Sequence, residues 1–399
     1  MRTTDTVIIG AGQAGLAASR CLTDRGHDHV VLDRGGIGQR WRTCSWDSLH
    51  LLTPNWMNGL PGRPYAGPDP DGFAPAAAFT DQLAEYARSF AAPVEEHADV
   101  SRLRLRGNDF EVVTGAGTWR ARHVVMATGW CDRPAIPALA RSLTAHQVTP
   151  AEYRNPRSLP PGGVLVVGAS ATGVQLADEL RSAGRDVTIA AGSHTRMERS
   201  HLGRDIYWWL ARLGVLDRTI DEMPDPVRAR REPSPQLAGR VDRIDLTTLQ
   251  AKGVQLVGRV LAADGHRVRL SPDLPSTIAA ADQRWRRLLD RIDAHAGTRS
   301  SERTRTTTPA RVISELDLRR AGIRTVLWAT GHRRSHPWLR IPVLDRHGEI
   351  RQHRGRTPAP GLYVLGQRFQ HHRSSNFIGG VGRDAAFVAD HITGRHAHA

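Results

Sequence analysis

Two glycine-rich turns constrain this chain more than any other feature. The first, Gly10-Ala11-Gly12-Gln13-Ala14-Gly15, follows the apolar run Thr6–Ile9 and opens a helical pattern over Leu16–Arg25. The next apolar run, His29–Leu32, ends on Asp33, 23 residues after Gly10. A G-x-G-x-x-G string alone says little. Between a strand and a helix, with an acid at that distance, it is the phosphate turn of a βαβ dinucleotide-binding unit. Gly10 permits the tight turn, Gly12 lets the backbone approach a pyrophosphate, and Gly15 lets helix and strand pack closely. The helix N-terminus stabilises phosphate charge, and Asp33 accepts hydrogen bonds from ribose hydroxyls.

The second turn, Gly168-Ala169-Ser170-Ala171-Thr172-Gly173, starts 158 residues after the first. It sits between Val164–Val167 and a helical pattern over Val174–Ala183, with a further strand expected at Asp186–Ala190. Ser170 replaces the middle glycine. It is small enough for close approach, and its hydroxyl is a further phosphate donor. No acid ends the following strand; Ser193, Arg196 and Arg199 come next. A 2′-phosphate is repelled by an acid and held by Ser, Thr172 and Arg, so the second unit reads as an NADPH site. Two such turns suggest two nucleotides, FAD on the first and a nicotinamide on the second. Two strands close on the same tripeptide, Ala127-Thr128-Gly129 and Ala329-Thr330-Gly331, and their small residues suit strand ends abutting a cofactor. The fold class expected is α/β with two Rossmann-like domains.

Composition removes competing classes. The 399 residues suffice for two or three domains at roughly 100–200 residues each. No run approaches the roughly 20 apolar residues of a membrane span, and the strand pattern near Met1 leaves no room for a signal peptide, so a cytoplasmic protein is expected. The net charge is +15, but Lys252 is the single lysine and the arginines are scattered. That suits attraction of anionic cofactors better than a nucleic-acid face. Cys21, Cys44 and Cys131 are odd in number and lack CxxC spacing, which argues against a disulfide framework, a zinc site and a dithiol relay. The pair His371-His372 has no accompanying carboxylate spacing, so no metal is expected; its position favours a place near the flavin or substrate.

The remaining segments read as connections and helices. Pro54–Pro75 and Arg154–Gly163 are Pro-rich loops, and Thr298–Pro309 is an aperiodic loop. Pro275–His295 and Gly382–Ile392 read as helices, the latter burying Ala386, Val388, Ala389 and Ile392. The tail after Gly394 should fray. Tyr207, Trp208 and Trp209 fall in a helical pattern over Ile206–Leu213, where they either line a substrate pocket or pack in a core.

Several further strings carry a family resemblance. They are Ile37-Gly38-Gln39-Arg40-Trp41-Arg42, Trp46–Pro54, Ala127–Trp130, Tyr153–Pro156 and Gly361–Gly366, with Gly203–Leu210 and Ser374–Asp384 similar in bacterial relatives. The chain resembles the flavin-containing monooxygenase-like flavoproteins, a group that includes the YUCCA enzymes of plants. The resemblance implies a glutathione-reductase-like arrangement with the NADPH domain (157–318) inserted between two parts of the FAD domain (1–156 and 319–399). It implies FAD contacts from Arg34, Trp41, Thr53 and the backbone of Val100, and a flavin cap from Gly366, Gln367, Asn376 and Phe377. It also implies a small organic substrate and dioxygen as partners, and NADPH-driven oxygen transfer through a C4a-(hydro)peroxyflavin. A homodimer is left open. Asn58 and His50, in the loop facing the flavin, are the candidate catalytic polar groups.

Two departures from the family stand out. The Gly-Gly pair before Trp41 is Gly38-Gln39, and the Phe-x-Gly-x-x-x-His-x-x-x-Tyr fingerprint is broken, with His146 and Tyr153 seven residues apart. N-hydroxylation and Baeyer–Villiger oxidation are therefore not implied. A flavin oxidase or reductase of the same fold, and a non-catalytic redox-sensing nucleotide binder, stay open as alternatives.

Overall fold

The computed structural model describes residues 1–239, 243–298, 306–309 and 311–395. Most of the loop expected over Thr298–Pro309, and all but the first residue of the tail after Gly394, lie outside them.

Two parallel-core sheets organise the chain. In the first, the order is Val94–Glu95, His29–Leu32, Arg2–Ile9, Gly117–Met126, Asp109–Thr114, Val100–Arg106. Gly117–Met126 is long enough to be shared along one edge. Its first half pairs antiparallel with Asp109–Thr114, and Val124–Met126 pairs parallel with Leu362–Val364. Parallel strands are covered on both faces and read as continuous apolar runs, which is why Val7, Ile8, Val31 and Leu32 are all buried. Full burial of each such side chain contributes about 1.5–3 kcal/mol.

The second sheet is wholly parallel, in the order Gln255–Gly258, Val187–Ala191, Gly163–Val167, Ile323–Trp328, His146–Val148. The two sheets repeat one plan. A strand entering the glycine turn is flanked on one side by the next strand in sequence and on the other by the strand that ends in Ala-Thr-Gly. Strand pairing moves the expected domain limits. His146–Val148 precedes residue 157 and Ile323–Trp328 follows residue 318, yet both hydrogen-bond into the second sheet. The physical reason is that a parallel sheet recruits its strands through long crossovers, so a Pro-rich linker in sequence need not be a boundary in space.

Helices follow the turns. Gln13–Thr23 and Ala171–Ser182 start at the glycine turns, and Leu274–Ala296 and Val381–Ile392 match the helical patterns expected there. In the last, Ala385 is buried with Val381, Val388, Ala389 and Ile392, while Ala386 is only half-buried, one residue round the helix from the apolar stripe. A core of mixed origin joins Ile206, Tyr207, Trp209, Leu210, Leu216, Leu237, Trp285 and Ile292, with Leu52, Trp56, Met57 and Phe377 packed on its edge. Loops of the first unit thus meet helices of the second there.

Candidate functional site

The first glycine turn is shaped by contacts that tolerate no side chain. A β-carbon on Gly10 would stand 2.6 Å from the carbonyl oxygen of Ala127, and one on Gly15 would stand 1.8 Å from that of Gly10. Gly12 differs: nothing lies within 4 Å of the place its β-carbon would take. Gly12 also caps the helix Gln13–Thr23 without any side-chain bond to the exposed N–H groups. A helix start with free donors and an empty approach suits a phosphate. Asp33 fixes the turn, its two carboxylate oxygens accepting from Ala11 N at 2.7 Å and Gly35 N at 2.9 Å.

The second turn repeats these relations. β-carbons on Gly168 and Gly173 would stand 2.3 Å from Ala329 O and 1.9 Å from Gly168 O. Ser170 caps the helix Ala171–Ser182 with no side-chain bond, which leaves its hydroxyl and the helix N–H groups to a ligand. Each Ala-Thr-Gly strand therefore ends against the first glycine of its own turn. The turns fit dinucleotides by shape and by donor chemistry.

A cavity of about 1180 Å³ opens from the first turn. Gly10, Gly12, Gln13, Ala14, Asp33, Arg34, Trp41, Thr53, Val100, Ala127, Thr128, Gly129, Gly366, Asn376 and Phe377 all line it. Gly15 stays behind as a packing residue. Gln367 lies one layer back, buried, donating to Gly129 O at 3.4 Å and accepting from Arg334. Trp41 donates its indole N–H to Gln13 Oε1 at 3.3 Å and packs edge-on against Phe79. The far wall comes from the second unit: Thr195, Met197, Tyr207, Leu210 and Leu216, with Arg284, Leu288 and Arg291 from one stripe of Leu274–Ala296. Sequence reasoning missed that stripe. Its spacing marks a helix face, but nothing local tells which cavity the face meets.

Four expectations change. Asn58 does not line the cavity; its carboxamide folds back on Thr53, accepting from Oγ1 at 2.6 Å and donating to the Thr53 carbonyl at 3.3 Å. His50 does not line it either, its Nδ1 meeting Ser48 O at 2.9 Å. Both satisfy loop polar groups, the usual fate of such side chains in irregular segments. Arg196 is 5% exposed and lies within reach of Asp282 (2.6 Å), Glu198 (3.1 Å) and Asp245 (3.4 Å). Its guanidinium is spent on buried carboxylates, since burial without partners would be too costly. Arg199 is buried as well. It bonds Asp205, the carbonyls of Leu52 (3.0 Å) and Ala238 (2.6 Å), and lies over Phe73. Beside the second turn, Ser193 is exposed, Thr172 is half-buried, and the exposed Arg259 runs along Gly192.

The cysteines are free. Cys44 and Cys131 line the cavity, and burial pushes the Cys131 thiol up to about 12, so it stays protonated. Among the described residues no three His, Cys, Asp or Glu side chains are placed to hold a metal, and no helix is long and apolar enough to cross a membrane.

Comparison with known proteins agrees with this geometry. The profile described as pyridine nucleotide-disulphide oxidoreductase matches residues 7–211. A CzcO-like oxidoreductase of Geobacillus kaustophilus is 32% identical over 393 residues, covering 97% of this chain and 98% of that one. The indole-3-pyruvate monooxygenase YUCCA6 of Arabidopsis thaliana is 29% identical over 208 residues, 47% of each chain. The flavin-containing monooxygenase of Stenotrophomonas maltophilia superposes with a TM-score of 0.70 over the full length of both chains at 21% identity. The chain belongs to the pyridine nucleotide-disulphide oxidoreductase family and is a flavin-dependent oxidoreductase with the fold of the flavin monooxygenases.

Proposed function

We propose that the chain is an FAD-dependent, NADPH-consuming monooxygenase of a small organic substrate. The observation that carries this reading is one cavity that joins the open start of Gln13–Thr23 to Met197, Tyr207, Leu210 and Leu216 of the second unit. A substrate that must meet the flavin away from water needs such a space. Monooxygenases among its relatives support the same reading.

In this reading the backbone N–H groups around Gly12 hold the FAD pyrophosphate, and Asp33 takes a ribose hydroxyl on its remaining lone pairs. Gly366, Asn376 and Phe377 cap the flavin, and Val100 offers backbone to the adenine. Ser170, Thr172 and the start of Ala171–Ser182 hold the NADPH pyrophosphate. Recognition of the 2′-phosphate falls to Ser193 and Arg259, because Arg196 and Arg199 are buried in other bonds. Bound FAD, reduced by NADPH, supplies the oxygen-activating chemistry. The chain's own part is to bind, orient and exclude water, and its polar loop residues carry no acid–base duty.

NADPH consumption and peroxide release, measured together on the purified flavoprotein across amines, thioethers and ketones, test the proposal. One class should raise NADPH consumption and suppress peroxide. Peroxide equal to NADPH consumed with every compound would make the protein an oxidase, and a colourless protein that takes up no FAD would overturn the reading altogether.

A further inference from the structure

Tyr207 is the one aromatic residue of the Tyr207-Trp208-Trp209 run that lines the cavity. It is 4% exposed, and among the described residues its Oη has no hydrogen-bond partner. Everything else about the side chain is fixed. Its backbone N–H donates to Asp205 Oδ1 at 2.7 Å, its ring meets Phe377 edge-on at 5.7 Å, and the Arg199 guanidinium lies 5.7 Å from the ring centre. Leu210 and Leu216 share its apolar cluster, with Leu52 and Met197 packed against it, and all four line the cavity. The phenol oxygen keeps access to the cavity, so its hydrogen bond is made with whatever fills that space. A phenol held at its ring, with no protein partner on its oxygen, is a donor for a molecule that enters the cavity. Burial pushes its ionisation up to about 12, with Asp205 adding to the rise and Arg199 opposing it, so the phenol is a neutral donor.

We propose that Tyr207 anchors the substrate: its O–H donates a hydrogen bond to an acceptor atom on an otherwise apolar small molecule seated against Leu210, Leu216 and Phe377. This deepens the monooxygenase reading, on which it rests, by naming the polar contact that orients the substrate and the kind of molecule it selects.

The test uses the full chain loaded with FAD and no NADPH, so that binding is read without turnover. Acetophenone and 2-phenylpropene have the same shape, but only the ketone carries an acceptor. Equilibrium dialysis should give acetophenone a Kd about tenfold below that of 2-phenylpropene, the size expected of one net hydrogen bond. Tyr207→Phe keeps the ring and should bring the two Kd values within twofold, leaving that for 2-phenylpropene and the FAD content unchanged. The proposal is overturned if the preference survives in Tyr207→Phe, if neither probe binds, or if the variant weakens NADP⁺ binding instead, since the phenol would then face the nicotinamide. Tyr207-dependent ketone binding in a protein that yields only peroxide would sink the monooxygenase reading and leave the anchor standing.

Discussion

The carbonyl oxygen of Ala127 lies 2.6 Å from the place a β-carbon on Gly10 would occupy, and φ at Gly10 is +110°. The chain closes on itself there before any cofactor arrives. At Gly12 there is open space, so the two glycines serve different ends. Gly10→Ala should lower the melting temperature of the flavin-free protein, with a cost of about 1–3 kcal/mol for the strained turn. Gly12→Ala should leave that temperature unchanged and weaken FAD binding at least about tenfold, because the methyl would stand in the phosphate approach. Differential scanning calorimetry of the apoprotein and titration with FAD separate the two. Equal effects on both readouts from both variants would contradict this division.

Cofactor choice should not follow Arg196. Removing its charge leaves Asp282 buried without its partner, while Asp245 keeps Arg243, so Arg196→Met is expected to cost about 3–5 kcal/mol of stability. The ratio of kcat/KM for NADPH over NADH should stay put in whatever protein folds. Arg259→Ala should instead raise KM for NADPH about tenfold while sparing NADH, the loss of one charge-assisted phosphate contact. Steady-state kinetics with both nucleotides decide between the arginines.

Buried Arg199 pairs with half-buried Asp205 at the seam between the two units. Arg199→Met should destabilise by about 3–5 kcal/mol, since it strands a carboxylate whose pKa burial has already raised, along with the Leu52 and Ala238 carbonyls. The double variant Arg199→Met/Asp205→Asn should lose less than the sum of the two single variants. A double-mutant cycle in urea measures the difference, and strict additivity would show that the pair is not coupled.

His371 gives a pH dependence of defined sign. Burial, then His372 and Arg354, lower its pKa to about 4, against opposing pulls from Asp221; His353 also faces it. The unfolded chain therefore binds a proton that the folded one refuses between about 6.5 and about 4. Stability from this group is present above that window and is lost as pH falls through it. Asp384, in the first turn of Val381–Ile392, has its pKa raised by burial and works in the opposite direction. His371→Gln should accordingly show a smaller drop in melting temperature between pH 7 and pH 5 than the native protein. An identical drop would place the acid sensitivity elsewhere.

Both turns, their strands and the helices that follow were legible because each depends on neighbours in the chain. Glycine at a positive φ, a run of Val and Ile, and a helix start are local facts, and Gly10, Gly12, Asp33, Gly168 and Gly173 stand where their spacing predicts. Asp33 accepts from the backbone of Gly35, two residues on, and of Ala11, 22 residues back across the glycine turn, so its place beside the turn follows from the spacing of the motif. Arg196, Arg199, Asn58 and His50 were misplaced because residue type and proximity do not say which way a side chain turns. That is settled by partners far away in sequence, such as Asp282 and Ala238. The same holds for the cavity wall. Tyr207 meets Phe377, and Arg284 and Arg291 meet the cavity, only because a sheet spanning residues 146–328 docks its helices against loops from the chain's two ends. Local order came from the chain's own periodicity; the cavity came from burial of apolar faces against one another, which acts without regard to sequence distance.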